Sequence, residues 1–155
     1  MSKIIEILNI EEGYKEAPYW DTRNFPTVAG GIRIGPQNAP LNQYQFTVPR
    51  RAGDVWKQCL VDAKTADMNR YPVIVAALAQ CNDARRDVLY SMAYQMGVAG
   101  LAGFTNTLGL ISRGEFTRAA SAMMNSLWAR QTPNRARRHA EVMRTGTYDA
   151  YKGLI

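Results

Sequence analysis

The 155-residue sequence predicts a single α+β domain, mostly helical, in which a long helix joins a small antiparallel β lobe to a larger helical lobe. Apolar residues recur at helical spacing near the N-terminus and again from about residue 50 onwards. Residues 14–35 instead combine aromatics, glycine and proline, as strands and tight turns do. Because 46% of the residues are hydrophobic, the chain can bury a core. We place the β lobe at about 14–59, and the helical lobe at about 60–155 plus the N-terminal helix.

The N-terminal third predicts a helix followed by a β-hairpin. Apolar residues at helical spacing give a helix over 3–12, and Gly13 suits its C-terminal end. Two strands are predicted at 17–22 and 26–31, around a turn at 23–25. This hairpin would hold Asp21 near Thr27 and fold both towards Glu12.

The remaining two thirds predict one loop and then helices. Residues 34–49 contain three prolines and predict a loop with one short helix or strand at 43–47. A long helix is predicted over 50–68, with Pro49 at its first turn. A turn is predicted at Gly97 and Gly100. Further helices are predicted at 72–78, from a cap at Asn82 or Asp83 to 96, and at 104–112, 115–125 and 133–144.

Composition narrows the partners and the compartment. The net charge of +6 suits a polyanion: nucleic acid, an anionic membrane or an anionic cell-wall polymer. The N-terminus lacks the pattern of a signal peptide, and no run of about 18 apolar residues exists, so we expect folding in a cytoplasm and no stable membrane insertion. Cys59 and Cys81 form no Cys-x-x-Cys motif and are predicted to be free, buried thiols.

Several catalytic chemistries are excluded by the residues available. The one histidine, His139, is predicted to be a solvated helix residue, and a zinc enzyme would need several nitrogen or thiolate ligands. The sequence has no Gly-x-Ser-x-Gly elbow, and Gly30–Gly35 lacks the spacing of a phosphate-binding loop. We therefore expect no metal and no cofactor. Carboxylate chemistry remains.

The C-terminal arginines admit two interpretations. Five arginines lie between Arg130 and Arg144 against one acid, Glu141. A nucleic-acid patch would combine such charge with stacking aromatics. Because the aromatics in this segment are dispersed, we favour a solvated basic face and expect no nucleic-acid partner.

The acids of the hairpin region are the candidates for catalysis. Two carboxylates facing one cleft, with a hydroxyl that positions water, are the groups that glycoside hydrolysis needs. Asp21 and Thr27 supply one carboxylate and the hydroxyl. Glu11 and Glu12 both fall at the edge of the apolar stripe, so periodicity does not choose between them.

Distinctive motifs lie near both ends of the chain: Ile10–Gly13, Tyr19–Thr22, Pro26–Val28, Tyr94–Gly97, Ala102–Asn106, Gln131–Arg135 and Arg144–Lys152. These motifs resemble those of the T-even phage-type lysozymes, phage endolysins of glycoside hydrolase family 24. The resemblance covers nearly the whole chain and is weakest from Arg33 to Thr47.

The resemblance implies a lysozyme-like two-lobed fold and a muramidase that hydrolyses the β-1,4 bond between N-acetylmuramic acid and N-acetylglucosamine in peptidoglycan. Its catalytic Glu directly precedes Gly, which selects Glu12 as general acid. Asp21 would stabilise the developing positive charge, and Thr27 would position the water for inversion.

Other residues take their roles from the same resemblance. The implied substrate contacts are Tyr94, Gln95 and Thr107, with Trp128 supporting the cleft wall. Arg135 is similar to the family arginine that pairs with the catalytic Glu. Tyr94 and Thr107 replace the commoner Phe and Ser, and a family asparagine falls on Ala122.

The main departure from the family lies just after the catalytic triad that the resemblance implies, Glu12, Asp21 and Thr27. The family His falls on Ile32, and the long-helix aspartate that pairs with it falls on Cys59. We interpret the joint loss as an altered structural contact, because it leaves no lone buried charge. Arg33 is then expected at the cleft rim.

The expected partner is peptidoglycan. A monomeric endolysin would be made in the host cytoplasm and would reach the periplasmic wall after release by a separate holin. Two alternatives remain at this point: a lytic transglycosylase on a related scaffold, and a non-catalytic module that binds the cell wall or a polyanion.

Overall fold

The computed structural model describes all 155 residues, and the chain divides into two compact units. We call residues 5–60 the β unit, and residues 1–4 with 61–155 the helical unit. The fold class is α+β and mostly helical, as the sequence predicts.

The β unit contains two helices and a three-stranded antiparallel sheet in the order β1-β2-β3. Its elements are α1 (Ile4–Glu12), β1 (Lys15–Trp20), β2 (Pro26–Ala29), β3 (Ile32–Arg33), a 3₁₀ helix (Leu41–Gln43) and α2 (Arg50–Met68), which continues into the helical unit. The predicted helix, hairpin and long helix are confirmed. The prediction of an element at 43–47 is wrong, because the 3₁₀ helix begins directly after Pro40, whose ring fixes φ at −61°.

A small apolar cluster holds the sheet together. Val28, Ala29, Ile32 and Val48 are buried in it. Tyr14 packs against the cluster and donates a hydrogen bond from its hydroxyl to the carbonyl oxygen of Val48, at 2.8 Å. The end of the long loop is thereby fastened to the segment that precedes β1.

The helical unit contains seven further helices. They are α3 (Pro72–Ala79), α4 (Asp83–Met96), α5 (Val98–Ala102), α6 (Thr105–Ser112), α7 (Phe116–Met124), α8 (Leu127–Gln131) and α9 (Pro133–Thr145), followed by a 3₁₀ helix (Asp149–Tyr151). The prediction missed α5 and α8. Gly97 breaks the chain with a φ of +83°, but Gly100 lies inside α5, so the predicted turn at Gly100 is wrong. No helix combines the length and apolar character that crossing a bilayer requires.

Half of the residues of helix α4 are buried. Asn82 caps it by accepting a hydrogen bond from the backbone N–H of Arg85. Among its buried residues is one acid, Asp87, whose carboxylate accepts from Ser2 Oγ, the backbone N–H of Lys3 and the Tyr148 hydroxyl. Burial raises the pKa of Asp87, while these three donors oppose that rise.

The two cysteines differ in environment. Cys81 is buried, and burial raises the pKa of its thiol to about 11. Cys59 is exposed, so its predicted burial is wrong. The buried face of α2 instead runs through Gly53, Lys57 and Val61, which are spaced one helical turn apart.

Candidate active site

Glu12 is the last residue of α1. Gly13 follows with a φ of +73°, a conformation that ends a helix at little cost only when the residue is glycine. The Glu12 side chain is half-buried and lies against the turn between β2 and β3. A Cβ atom built on Gly31 would lie 3.0 Å from Glu12 Cβ and 3.2 Å from its Oε2. The carboxyl group is therefore set directly against this backbone.

Asp21 is fixed by the turn that it begins. Its Oδ1 accepts hydrogen bonds of 2.9 Å from the backbone N–H groups of Arg23 and Phe25, and its own N–H donates to the Phe25 carbonyl at 3.0 Å. Aspartate favours such turns because its short side chain reaches the backbone two residues on. With Oδ1 held inside the turn, Oδ2 is directed outwards and lies 4.0 Å from Arg33 Nη2.

Thr27 is buried in β2, with its hydroxyl oriented by the backbone. Oγ1 donates to the carbonyl oxygen of Phe25 at 2.8 Å. A hydroxyl has one proton, so this bond leaves the oxygen to act as an acceptor towards any other group. Asp21 and Thr27 are thus both anchored on Phe25.

The side chains of Tyr19, Thr27 and Arg33 lie on one face of the sheet. Thr27 is paired with Tyr19 of β1 and with Arg33 of β3, and directly paired residues lie on the same face. The pKa of the Tyr19 hydroxyl is raised by burial first and then by the carboxylates of Glu12 and Asp21. Distances bring the same groups together: Asp21 Oδ2 lies 4.0 Å from Nη2 of Arg33, and Glu12 lies against Gly31 in the turn that precedes β3. Glu12, Asp21 and Thr27 therefore occupy one region of the β unit.

Arg33, which is expected at the cleft rim, and Tyr19, for which the sequence predicts no role, both lie beside Thr27. The Arg33 guanidinium lies 3.6 Å from the centre of the Phe25 ring, a close cation–π contact beside Asp21. The Lys15 amine lies 4.3 Å from the centre of the Tyr19 ring. The available signal was the alternation of the short strands, which places Tyr19 and Arg33 opposite Thr27 once the register is known.

The residues predicted to contact sugar lie in the helical unit. Thr107 and Trp128 line a groove of about 860 Å³ together with Phe104 and Ala122. Phe104 packs edge-on against the Trp128 ring, with centroids 6.2 Å apart. Gln95 is tied to this wall because its Oε1 accepts a 2.8 Å hydrogen bond from Trp128 Nε1. Tyr94 is half-buried on α4, and its predicted contact with substrate stays a prediction.

Arg135 and His139 are both buried in α9, which corrects two expectations. Arg135 Nη2 donates to Ser91 Oγ at 2.9 Å, so this arginine is not part of a solvated basic face. His139 is fully buried rather than solvated: Nε2 lies 2.7 Å from Ser91 Oγ and Nδ1 lies 2.8 Å from the Tyr151 hydroxyl. The amphipathic period of α9 turns these two residues inwards, where Ser91 contacts both of them and Tyr151 contacts His139. The pairing of Arg135 with Glu12 stays a prediction.

No group of three or more His, Cys, Asp or Glu side chains is placed to hold a metal ion. The site consists of carboxylates, hydroxyls and aromatic rings.

Comparison with known proteins places the chain in a family. No protein-family model matches it. The chain is similar to "Probable T4-type lysozyme 1" of Dictyostelium discoideum, with 30% identity over 171 aligned positions that cover 98% of this chain and 99% of that protein. The chain belongs to the T4-type lysozymes.

Two further proteins are similar to parts of the chain. The chain is 30% identical to "Pre-baseplate central spike protein Gp5" of Enterobacteria phage T4, over 94% of this chain but only 28% of that protein. It is 38% identical over 68 residues to "Probable T4-type lysozyme 2" of Dictyostelium discoideum, covering 44% of this chain and 40% of that one.

The predicted loss of a family His–Asp pair at Ile32 and Cys59 agrees with the structure at Ile32 and not at Cys59. Ile32 is buried in the apolar cluster of the β unit, which fits the loss of a charged pair. Cys59, however, is exposed on α2, so it does not fill the space of a buried partner. The α2 residue that packs against the cluster is Leu60, and the residue that lies behind the glycine turn is Lys57.

The contact between Gly31 and Glu12 predicts a selective effect of a single methyl group. Gly31 and Gly153 have nearly the same φ, +81° and +82°, but of the two only Gly31 has neighbours within 4 Å of its Cβ position. We expect Gly31→Ala and Gly153→Ala each to cost up to about 1–2 kcal/mol of unfolding free energy. Gly31→Ala should also displace Glu12 and lower glycan hydrolysis at least about tenfold.

Urea unfolding and initial rates of glycan hydrolysis measure the two effects separately. Gly153→Ala is the matched control for backbone strain and should keep the parental rate. Parental activity in Gly31→Ala would show that the position of Glu12 does not depend on this turn.

Proposed function

We propose that the chain hydrolyses the β-1,4 bond between N-acetylmuramic acid and N-acetylglucosamine in peptidoglycan, with inversion at the anomeric carbon. The observation that carries the proposal is that one small sheet brings three groups together: Asp21 in the β1–β2 turn, Glu12 against the β2–β3 turn, and on β2 the Thr27 hydroxyl, which is oriented to accept. Membership in the T4-type lysozymes supports the same reaction class.

Glu12 is assigned the general-acid role. It would donate its proton to the glycosidic oxygen as the bond to the leaving sugar breaks. Its place at the end of a helix, against a glycine backbone, limits the positions its carboxyl can adopt. That restriction favours catalysis because a proton donor must lie within hydrogen-bond distance of the reacting oxygen.

Asp21 and Thr27 are assigned to the attacking water. Thr27 Oγ1, whose own proton is donated to the Phe25 carbonyl, would accept a hydrogen bond from one O–H of the water. The other O–H would donate to Asp21 Oδ2, since Oδ1 is engaged by two backbone N–H groups, and this carboxylate would take that proton as the water attacks. A lone pair of the water would then form the new bond to the anomeric carbon from the face opposite the leaving oxygen, which inverts the configuration. The Asp21 carboxylate would also stabilise the positive charge that develops on the sugar.

Replacement of the acid tests the assignment. Glu12→Gln keeps the shape of the side chain but removes the transferable proton, so we expect hydrolysis to fall by about 10²–10⁴-fold. The measurement is the clearing of permeabilised Gram-negative cells, with mass analysis of the released fragments. Glu6→Gln is the matched control, because Glu6 is an exposed acid on the same helix.

The fragments also separate the alternative enzyme from this one. Hydrolysis adds one water to each cleaved bond and leaves reducing ends, whereas a lytic transglycosylase leaves anhydro-muramoyl ends. Anhydro ends, or undiminished clearing by Glu12→Gln, would contradict the proposal. If the parent protein releases no fragments at all, the non-catalytic binding module would be favoured.

The biological setting proposed is lysis of a bacterial host, with the chain made in the cytoplasm as a monomer and released by a separate holin. The positive net charge supports attraction to an anionic wall once the enzyme reaches it.

We expect that the chain, when produced inside a Gram-negative cell, leaves the culture turbid until the inner membrane is permeabilised, and that turbidity then falls within minutes. Turbidity is the measurement, with Glu12→Gln as the control. Clearing before permeabilisation would contradict the need for a holin.

A further inference from the structure

A fully buried lysine lies behind the catalytic region of the β unit. Lys57 sits on the inward face of α2 with an exposure of 0%. Its Nζ donates to Asn9 Oδ1 of α1, at 3.0 Å. Burying an amine is costly unless it is hydrogen-bonded, so its geometry is tightly constrained by its partners.

Asn9 extends this contact into a chain of polar groups. It is itself buried and lies one helical turn before Glu12 on α1. Its Nδ2 donates to Asp54 Oδ1 at 2.8 Å, and Arg50 Nε lies 3.6 Å from the same oxygen. Because the two ends of the Asn9 amide have different partners, its orientation is set, and α1 is fixed to α2 in one register.

Lys57 also fixes the turn between β2 and β3. A Cβ atom built on Gly30 would lie 1.6 Å from Lys57 Nζ and 2.7 Å from Asn9 Oδ1. The lysine amine thus occupies the space that any side chain at this position would need. The next residue, Gly31, is the one that lies against Glu12. Lys57 therefore contacts both segments, α1 and the glycine turn, that define where Glu12 sits.

We propose that Lys57 and Asn9 are positioning residues for Glu12: their buried hydrogen bond locks α1, α2 and the Gly30–Gly31 turn together, and so sets the catalytic carboxyl. This inference rests on the proposed role of Glu12 in hydrolysis. Neither residue touches substrate. Their function is to hold the acid within the fraction of an ångström over which proton transfer is efficient.

If Lys57 served stability alone, a folded Lys57 variant would keep the parental kcat. Methionine is similar in length to lysine and removes the desolvation cost of the amine, but it leaves the buried Asn9 Oδ1 without this donor, which lowers stability. We expect Lys57→Met to remain folded with lower stability, while Asn9 and the glycine turn are released. Lys64→Met is the matched control, because Lys64 lies two turns further along the same helix and is only half-buried.

The experiment measures kcat and KM for both variants on a soluble peptidoglycan oligosaccharide, together with amide hydrogen exchange. For Lys57→Met we expect kcat to fall at least about tenfold, with KM within about twofold, because the loss is in positioning and not in binding. Exchange at the Gly30 and Gly31 amides should accelerate at least about tenfold in Lys57→Met, and not in Lys64→Met.

Each outcome decides the inference. A folded Lys57→Met with kcat within about twofold of the parent, or with parental exchange at Gly30 and Gly31, overturns it. If Lys57→Met does not fold, Asn9→Ser makes the same test by shortening the side chain that receives the lysine hydrogen bond, with the same expected split. If the parent itself leaves the oligosaccharide uncut, it is the proposed function that fails, and the exchange measurement still decides whether Lys57 holds the turn.

Discussion

The close approach of the Gly30–Gly31 backbone to two side chains is the constraint on which the β unit depends. The amine of Lys57 occupies the space that a side chain at Gly30 would need, and Gly31 lies against Glu12. Because neither position has room for a side chain, α1, α2 and the turn between β2 and β3 can converge at one point. The acid is thereby held by backbone and by buried polar contacts together.

The hairpin positions the other groups of the proposed site in two ways: through hydrogen bonds to the Phe25 carbonyl, and through the pairing of its strands. The Phe25 carbonyl receives the Thr27 hydroxyl and the Asp21 N–H, and pairing across the sheet places Tyr19 and Arg33 beside Thr27. Each hydrogen bond removes one alternative orientation from a group that is proposed to be catalytic. The proposed site is therefore organised without substrate, which is the condition under which an enzyme reorganises least during its reaction.

Sequence patterns predicted those parts of the structure that depend on local periodicity or on family motifs. The apolar stripe of α1, the proline at the start of α2 and the cap at Asn82 are local signals, and the elements they predict are present. The burial of His139, Arg135 and Lys57 was not predictable in this way, because polar side chains are turned inwards by partners distant in sequence, such as Ser91 and Asn9. The error at Cys59 has the same origin: which face of a long helix is buried depends on what packs against it.

The proposed mechanism depends on a water that Thr27 and Asp21 hold on the face of the sugar opposite the leaving group. The most direct test is proton NMR of the muramic-acid reducing ends, recorded before mutarotation mixes the anomers. We expect the α-anomer to form first from the β-linked glycan. Initial release of the β-anomer would mean that configuration is retained, and would contradict the role assigned to that water.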